Sequence, residues 1–210
     1  MKIALIGASG NVGSRIAAEL SRRGHRVTGI VRDTSKIAKL PGLAALSQDI
    51  SDTKALADVL RGHEVVISAV GFSVSDPDQL IASVKAAGVR RYMVSGGAGS
   101  LEVSPGVRII DTPDFPAEYK PETAAGCVFL DRLRQEKDLE WTFLSPSYNF
   151  APGERTGKFR LGKDQLLTTS EGSNISFEDF AVAMADEIET PNTAAPGSRS
   201  DTEETQRPTD

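Results

Sequence analysis

The sequence predicts a three-layer α/β domain built on a doubly wound parallel sheet. Short β-type runs alternate with longer amphipathic stretches along most of the chain, and parallel neighbours are joined by a crossover, usually a helix. The 210 residues suffice for one such domain with a sizeable core. Residues 190–210 contain no aromatic residue and show no periodicity, so we expect a disordered polar tail. The predicted domain therefore covers residues 1–189.

Six strands and five helices follow from the spacing of the apolar residues. The predicted strands are 2–6, 26–31, 43–48, 64–70, 91–95 and 141–144, and the predicted helices are 11–23, 53–60, 76–87, 117–137 and 177–188. Gly24 and Gly88 end two helices, and Asp52 and Ser176 are predicted N-caps of two others. Residues 100–115 are interpreted as a long loop. Residues 146–180 are predicted to supply a small C-terminal substrate region.

Composition and charge exclude several classes of function. The net charge of −5 and the pI near 5.2 argue against a nucleic-acid partner, which favours a basic face. The single cysteine excludes an intrachain disulfide and a cysteine zinc site. His25 and His63 lie in turn-like contexts, where we expect solvated side chains rather than metal ligands. No apolar stretch approaches the ~20 residues that span a bilayer. We therefore expect a cytoplasmic monomer or homodimer with no bound metal.

The strongest motif lies between the first predicted strand and the first predicted helix. Gly7, Gly10 and Gly13 have G-x-x-G-x-x-G spacing, one residue longer than the common dinucleotide fingerprint. The first glycine permits a tight turn, the second lets a pyrophosphate approach, and the third lets the helix pack closely on the sheet. The helix N-terminus offers N–H groups to phosphates. We predict a Rossmann-type NAD(P) site contacted by Gly7, Ser9, Gly10, Asn11, Val12 and Gly13; a plain turn is the alternative.

The end of the second predicted strand indicates which dinucleotide is bound. A Rossmann fold contacts the adenosine ribose here, and an acidic residue favours NAD. Arg32 takes this position, and a guanidinium holds a 2′-phosphate bidentately. NADP(H) is therefore favoured over NAD(H), with Arg15 as a second candidate. Asp33 keeps NAD open, and Arg32 as a solvated surface charge is the competing interpretation.

Further cofactor contacts are expected where the later strands end, because ligands bind at the carboxyl edge of such sheets. Asp49 and Ile50 follow the third strand, at the expected place of the adenine ring. Asp49 is either an acceptor for the adenine amine or a turn-capping residue. Small residues follow the fourth strand and Ser95 ends the fifth. The additional candidates are Ala69, Val70, Gly71 and Ser95.

These features together resemble the atypical short-chain dehydrogenase/reductase family. The glycine loop, Arg32, the segment 49–52 and the Ser-Gly-Gly at 95–97 carry the resemblance, and segments 141–146, 152–158 and 175–179 extend it over about residues 1–189. The sequence is most similar to the NAD(P)H-binding group known as NADH-flavin reductases, and also to biliverdin reductase B and NmrA-like proteins. The resemblance implies hydride transfer from NAD(P)H to a flavin-like or other conjugated small molecule. A non-catalytic redox sensor of the NmrA type is the alternative, and a sugar-nucleotide epimerase is less favoured.

The resemblance also implies candidate catalytic residues. Typical short-chain dehydrogenases use a Ser, a Tyr and a Lys four residues after the Tyr, and the Lys lowers the Tyr pKa for proton exchange with the substrate. Ser95 stands at the place of the Ser and Tyr119 opens the long helix, but Thr123 stands where the Lys is expected. This departure argues against alcohol dehydrogenase or epimerase chemistry. It favours an acceptor that needs orientation above the nicotinamide more than a protein acid.

The predicted substrate region supplies aromatic and basic side chains. Phe72, Tyr148 and Phe150 are candidates to stack on a flat ring, with core packing as the alternative. Arg155, Lys158, Arg160 and Lys163 give one loop a basic character, suited to an anionic ligand or simply solvated. Members of the resembling group commonly finish with a last strand after Glu189. A polar segment takes that place here, so we expect a missing edge strand.

Overall fold

The central sheet of the computed structural model, which describes residues 1–191, has the predicted parallel topology. In chain order the strands are β1 (Lys2–Ile6), β2 (Arg26–Val31), β3 (Leu43–Ser47), β4 (Val65–Ser68), β5 (Arg91–Ser95), β6 (Glu102–Ser104), β7 (Val107–Arg108), β8 (Glu140–Leu144), β9 (Asn149–Ala151) and β10 (Asn174–Ser176). Six of them form one sheet in the order β3-β2-β1-β4-β5-β8. All neighbours in it are parallel, so the strand order reverses beside β1, as in a doubly wound fold.

Helices cover both faces of this sheet. They are α1 (Asn11–Arg22), α2 (Thr53–Leu60), α3 (Pro77–Ala86), α4 (Lys120–Leu133) and α5 (Phe177–Glu189). The side chains of β1 alternate between two cores: Ile3 and Leu5 pack with residues of α1 and α5, whereas Ala4 and Ile6 pack with residues of α2, α3 and α4. This period of two is what a strand buried on both faces requires. The predicted three-layer α/β fold is confirmed.

Three predicted segments differ clearly in extent. The strand predicted over 64–70 is shorter, because β4 ends at Ser68. The long helix α4 is shorter than the predicted 117–137, because a 3-10 turn, Ala117–Tyr119, precedes it and Pro121 occupies its first turn. Proline lacks the N–H that an interior helical position needs, so it favours this start. The predicted loop over 100–115 contains the antiparallel hairpin β6–β7. Gly106, at φ +77°, turns the chain between its strands.

The expectation that both histidines are solvated is wrong. His25 is 7% exposed, and its Nε2 lies 2.7 Å from the Glu189 carboxylate. His63 is 9% exposed and lies between the Leu60 carbonyl oxygen and the Thr28 hydroxyl, each 2.9 Å away. Both follow helix ends, but neighbouring elements cover them.

The C-terminal segment forms a small substructure beside the main sheet. Strands β9 and β10 pair in parallel, and the loop between them is held by the first turn of α5. Asp179 accepts hydrogen bonds from the Thr156 hydroxyl at 2.6 Å and the Gly157 N–H at 2.7 Å.

Within residues 1–191 no helix is long and apolar enough to cross a membrane. The predicted disordered tail and the missing edge strand fall on residues 192–210, outside the described part.

Candidate cofactor site and substrate cleft

The glycine loop has the close backbone contacts that its spacing predicts. Gly7 has φ +84°, and a Cβ there would lie 2.4 Å from the Ala69 carbonyl oxygen. A Cβ on Gly13 would lie 2.1 Å from the Gly7 carbonyl oxygen. Both distances are shorter than any van der Waals contact, so neither position accepts a side chain without displacement of backbone. A Cβ on Gly10 would meet that oxygen at an ordinary 3.4 Å.

The first turn of α1 presents backbone N–H groups at this loop. Gly10 is the N-cap, and no side chain caps the helix. The backbone ladder of the helix begins with the Ser14 N–H donating to the Gly10 carbonyl at 2.9 Å, so the N–H groups of Asn11, Val12 and Gly13 precede it. Ser9, Gly10 and Asn11 are exposed. This arrangement fits the pyrophosphate of a dinucleotide, because uncapped helix N-termini bind anions.

The two charged residues after β2 have different surroundings. The Asp33 carboxylate accepts hydrogen bonds from the Ser35 hydroxyl at 2.7 Å and the Ser35 N–H at 3.0 Å. These bonds hold the pKa of Asp33 below its usual value and cap the turn Thr34–Lys36. Arg32 is exposed, and its carbonyl oxygen accepts a hydrogen bond from the Ser47 hydroxyl at 2.9 Å. The acidic residue is therefore engaged locally, while the guanidinium lies at the surface.

Asp49 has the turn-capping contacts that were one of its two interpretations. One carboxylate oxygen accepts from both the N–H and the hydroxyl of Ser51 at 2.9 Å. The pKa of Asp49 is lowered first by the Ser51 N–H, then by the Ser51 hydroxyl and, to a lesser extent, by the charge of Arg32. Arg32 therefore lies near this turn.

An open pocket of about 320 Å³ lies between the turns that follow β3 and β4. One wall is Ile50 and Ser51, and the other is residues 73–76 with Gln79 and Leu80. Both walls belong to the carboxyl edge of the sheet, where Ala69, Val70 and Gly71 leave β4. The pocket places Ile50, a predicted adenine contact, opposite the turn Phe72–Val74.

That turn, Phe72–Val74, is tied to α4. The Glu122 carboxylate accepts hydrogen bonds from the N–H groups of Phe72 at 2.6 Å and Ser73 at 2.9 Å. The Phe72 ring stacks on Phe143 at 5.8 Å and meets Phe129 edge-on at 5.5 Å. Phe72 thus packs in the core, which was the alternative to a ring-stacking role. Glu122 was not identified from the sequence, because its partners lie fifty residues away.

The two candidate catalytic residues lie in different surroundings. Ser95 is 9% exposed at the end of β5, in register with Leu144. Tyr119 is 61% exposed, in the 3-10 turn before α4. A Cβ on Gly99 would lie only 1.9 Å from the Thr123 methyl carbon, so the side chain at position 123 packs against the turn Ala98–Ser100. No room exists beside Gly99 for a longer side chain at that position without movement of the turn.

A second, shallow pocket opens beyond β8. Its lining combines apolar and polar groups from the end of β8, segment 160–167 and α5: Leu101, Phe143, Leu144, Ser145, Pro146, Ser147, Arg160, Leu161, Gly162, Lys163, Asp164, Gln165, Leu167, Ile175, Phe180 and Ala183. Leu144 pairs with Ser95, so the pocket adjoins the end of β5. Of the predicted aromatics, Tyr148 is 47% exposed, whereas Phe150 packs against Phe177 and Phe180.

The basic loop divides into two parts. Arg160 and Lys163 line the second pocket, and the Arg160 guanidinium donates to the Thr168 carbonyl at 2.9 Å. Arg155 instead binds the carboxylate of Glu19, which is 4% exposed, at 2.8 and 2.9 Å. Arg22 and Arg23 bind the same carboxylate. The helical spacing of those two arginines from Glu19 is visible in the sequence, whereas the contact with Arg155 is not.

Arg15, the second candidate for a 2′-phosphate, is engaged elsewhere. Its Nε donates to Glu178 at 3.1 Å, and its guanidinium carbon lies 5.8 Å from the centre of the Phe177 ring. Glu178 also accepts from the Gly153 N–H at 2.9 Å. Arg15 therefore joins α1 to the first turn of α5 and to the C-terminal substructure.

Comparison with known proteins agrees with this geometry. The chain is 40% identical to the uncharacterized protein YwnB of Bacillus subtilis over 202 residues, covering 91% of this chain and 93% of that protein. A structure from Streptococcus pneumoniae, provisionally described as an NADH-flavin reductase, is 36% identical, with a TM-score of 0.79 over 95% of this chain and 97% of that one. A structure from Bacteroides thetaiotaomicron, provisionally described as an epimerase, is 38% identical, with a TM-score of 0.88 over 98% and 99%.

A family model described as NAD(P)H-binding matches residues 7–191. The match begins at the first glycine of the loop and runs to the end of the described chain. It includes the carboxyl edge of the sheet, both pockets and α5. The protein therefore belongs to the NAD(P)H-binding family, with an oxidoreductase-like Rossmann fold.

Proposed function

We propose that this protein is an NADPH-dependent reductase of a flavin-like or other conjugated acceptor. The observation that carries the proposal is the uncapped first turn of α1 behind a glycine loop whose backbone contacts exclude side chains. Such a turn suits the pyrophosphate of a dinucleotide. Membership of the NAD(P)H-binding family supports a nicotinamide cofactor.

Different residues around this turn would bind different parts of the cofactor. The N–H groups that precede the α1 ladder would hold the pyrophosphate, Arg32 the 2′-phosphate, and the pocket beside Ile50 the adenine. The small residues after β4 would let the dinucleotide cross the sheet edge. The proposed contacts are Gly7, Ser9, Gly10, Asn11, Val12, Gly13, Arg32, Asp49, Ile50, Ala69, Val70, Gly71 and Ser95.

The preference for NADPH over NADH follows from the surroundings of the two charged residues. Asp33 uses one carboxylate oxygen to cap a turn, which leaves it fewer acceptor positions for a ribose 2′-hydroxyl. Arg32 is exposed beside it, and charge-assisted bonds from a guanidinium to a phosphate are worth about 1.5–3 kcal/mol. We expect Arg32→Ala to weaken NADPH binding about 10- to 100-fold and NADH binding much less.

Arg26→Ala is the matched control for this substitution. Arg26 is also exposed but opens β2 at the opposite edge of the sheet, so its loss should leave both affinities unchanged. Isothermal titration calorimetry gives the six dissociation constants of wild type and the two variants for NADPH and NADH. Equal affinities for NADPH and NADH in the wild-type protein would refute the role of Arg32.

The acceptor is inferred from what surrounds the end of β5. The bound nicotinamide would supply a hydride. None of the three tyrosines is followed four residues later by a lysine, and Thr123 packs against Gly99. These facts favour an acceptor that takes its proton from water. The pocket beyond β8 would receive the acceptor against its apolar walls, which include Phe143 and Leu144. Ser95 is the proposed hydrogen-bond donor beside it, and Tyr119 is the weaker candidate.

Turnover is tested by following the loss of NADPH absorbance with FMN, riboflavin and a quinone as acceptors. We expect oxidation of NADPH with at least one of them, and slower turnover in Ser95→Ala even at NADPH concentrations that saturate the variant. Tight NADPH binding without turnover of any acceptor would contradict the reductase proposal. It would favour the alternative, a non-catalytic redox sensor of the NmrA type.

A further inference from the structure

We infer that Glu122 is a positioning residue that fixes the turn 72–74 as one wall of the adenosine half of the cofactor site. The inference depends on the proposed function, because it assigns the pocket between Ile50 and Ser73 to the adenosine. It gives a role to a residue of α4 that lies far along the chain from the proposed cofactor contacts. Glu122 acts through the turn and is not proposed to touch the cofactor.

The geometry of the carboxylate is specific for this turn. One oxygen accepts from the Phe72 N–H and the other from the Ser73 N–H. The two N–H groups are successive along the chain, so a bidentate acceptor holds both peptide planes at once. The turn is also closed by Ser75, whose hydroxyl donates to the Gly71 carbonyl at 2.9 Å and whose N–H donates to the Phe72 carbonyl at 3.3 Å. Glu122 therefore supplies the shortest polar contact of the turn and holds two of its successive N–H groups.

Packing around the carboxylate reinforces its position. The Phe72 ring lies against Gly126, where a Cβ would approach it to 2.9 Å. Glu122 and Gly126 are one helical turn apart on α4, so the same face of the helix receives both the backbone and the ring of residue 72. Ser73, held by the carboxylate, is itself part of the pocket wall together with Val74 and Asp76.

The charge state of Glu122 suits this role. Partial burial raises its pKa, but the N–H groups of Phe72 and Ser73 and the Ser73 hydroxyl outweigh it and lower the pKa overall. The ionised group is an acceptor at both oxygens. An amide at this position would present its NH₂ to one of the two N–H groups, and two donors repel.

A pre-formed wall lowers the ordering cost of binding. Loss of one charged hydrogen bond costs about tenfold or more in an equilibrium constant. We therefore expect Glu122→Gln to raise the dissociation constant of NADPH about tenfold. The same fold-change is expected for 2′,5′-ADP, a probe that contains only the adenosine half. The turnover number at saturating NADPH should stay within about twofold of wild type, because the acceptor pocket is formed by other residues.

Glu118→Gln is the matched control. Glu118 lies one turn before Glu122, and it is exposed, so the same chemical change should leave both dissociation constants and the melting temperature at wild-type values. A wild-type affinity of E122Q for both probes overturns the inference. So does a loss of NADPH affinity without a loss of 2′,5′-ADP affinity, since the effect would then lie outside the adenosine half. A wild-type protein that binds neither probe refutes the cofactor site itself and overturns the inference with it.

Hydrogen exchange in the wild-type protein gives an answer even where E122Q folds poorly. Without cofactor, the amides of Phe72 and Ser73 should exchange slowly, as groups bonded to a carboxylate do, and the E118Q protein should match. Exchange of both amides at the rate of an unstructured peptide would overturn the inference.

Discussion

Two glycines of the cofactor loop, Gly10 and Gly13, should separate binding from folding. Gly10 is the N-cap of α1 and Gly13 lies in its first turn. Both are proposed cofactor contacts. The Cβ of an alanine at Gly13 would overlap the Gly7 carbonyl oxygen at 2.1 Å and its carbonyl carbon at 2.9 Å. The Cβ of an alanine at Gly10 would meet only that oxygen at 3.4 Å and the Ala69 oxygen at 3.8 Å. Gly10 has φ −72° and ψ 171°, which alanine adopts without strain.

The two substitutions therefore differ in kind. Gly13→Ala forces apart two backbone segments, and overpacking of this type costs about 1–3 kcal/mol. Gly10→Ala loses a favourable N-cap but stiffens the unfolded chain, so its net effect on unfolding should stay within about 1 kcal/mol. Its methyl group nevertheless stands at the exposed mouth of the loop, where the pyrophosphate is proposed. We expect the dissociation constant of NADPH to rise at least about tenfold in Gly10→Ala.

Urea unfolding measures the free energies, and isothermal titration calorimetry measures the affinities. The expected pattern is a loss of stability and of binding in Gly13→Ala, but a loss of binding alone in Gly10→Ala. A Gly13→Ala protein as stable as wild type would refute the inferred contact between α1 and the loop. NADPH binding at wild-type strength in Gly10→Ala would refute the proposed position of the pyrophosphate.

Two further predictions concern buried titratable groups. Glu19→Gln should lower the free energy of unfolding by about 2–3 kcal/mol, because the buried carboxylate binds Arg155 and two other arginines. Glu154→Gln, on an exposed residue, is the control. Equal stability of the two variants in urea unfolding would contradict a stabilising role of these ion pairs. Burial lowers the pKa of His63 below its usual 6.5, so the unfolded chain takes up the proton first and stability is lost as pH falls below 6.5. His63→Gln removes this titration, and urea unfolding at a series of pH values should show wild type losing stability relative to the variant; parallel curves would refute the assignment.

Local patterns along the chain predicted the sheet. The six central strands, the helices between them and the N-caps Asp52 and Ser176 were each visible as spacing of apolar residues or as a capping side chain. These signals are local, because a strand buried on both faces must be continuously apolar and a helix must expose one polar side. The glycine loop was also predictable, because the positions that exclude a side chain are occupied by glycines at a recognisable spacing.

The candidate site was less predictable where its contacts join distant segments. Phe72 was equally compatible with a substrate ring and with the core, and only the positions of Phe129 and Phe143 decided for the core. Asp49 was open between an adenine contact and a cap; its bonds to Ser51 show the capping contacts, and the adenine contact stays a prediction. The histidines were misjudged because burial depends on which elements return to cover a turn.

The sequence by itself determined the succession of strands and helices along the chain, the place of the glycine loop and the absence of a lysine four residues after Tyr119. Each follows from residues within one element. The tertiary structure alone decided which distant groups the charged side chains meet: Arg155 contacts Glu19, and Glu122 contacts the turn after β4. Hydrogen bonds and ion pairs act over about 3 Å, so their partners depend on which distant segments the fold brings together. Such contacts produce no periodic pattern in the sequence.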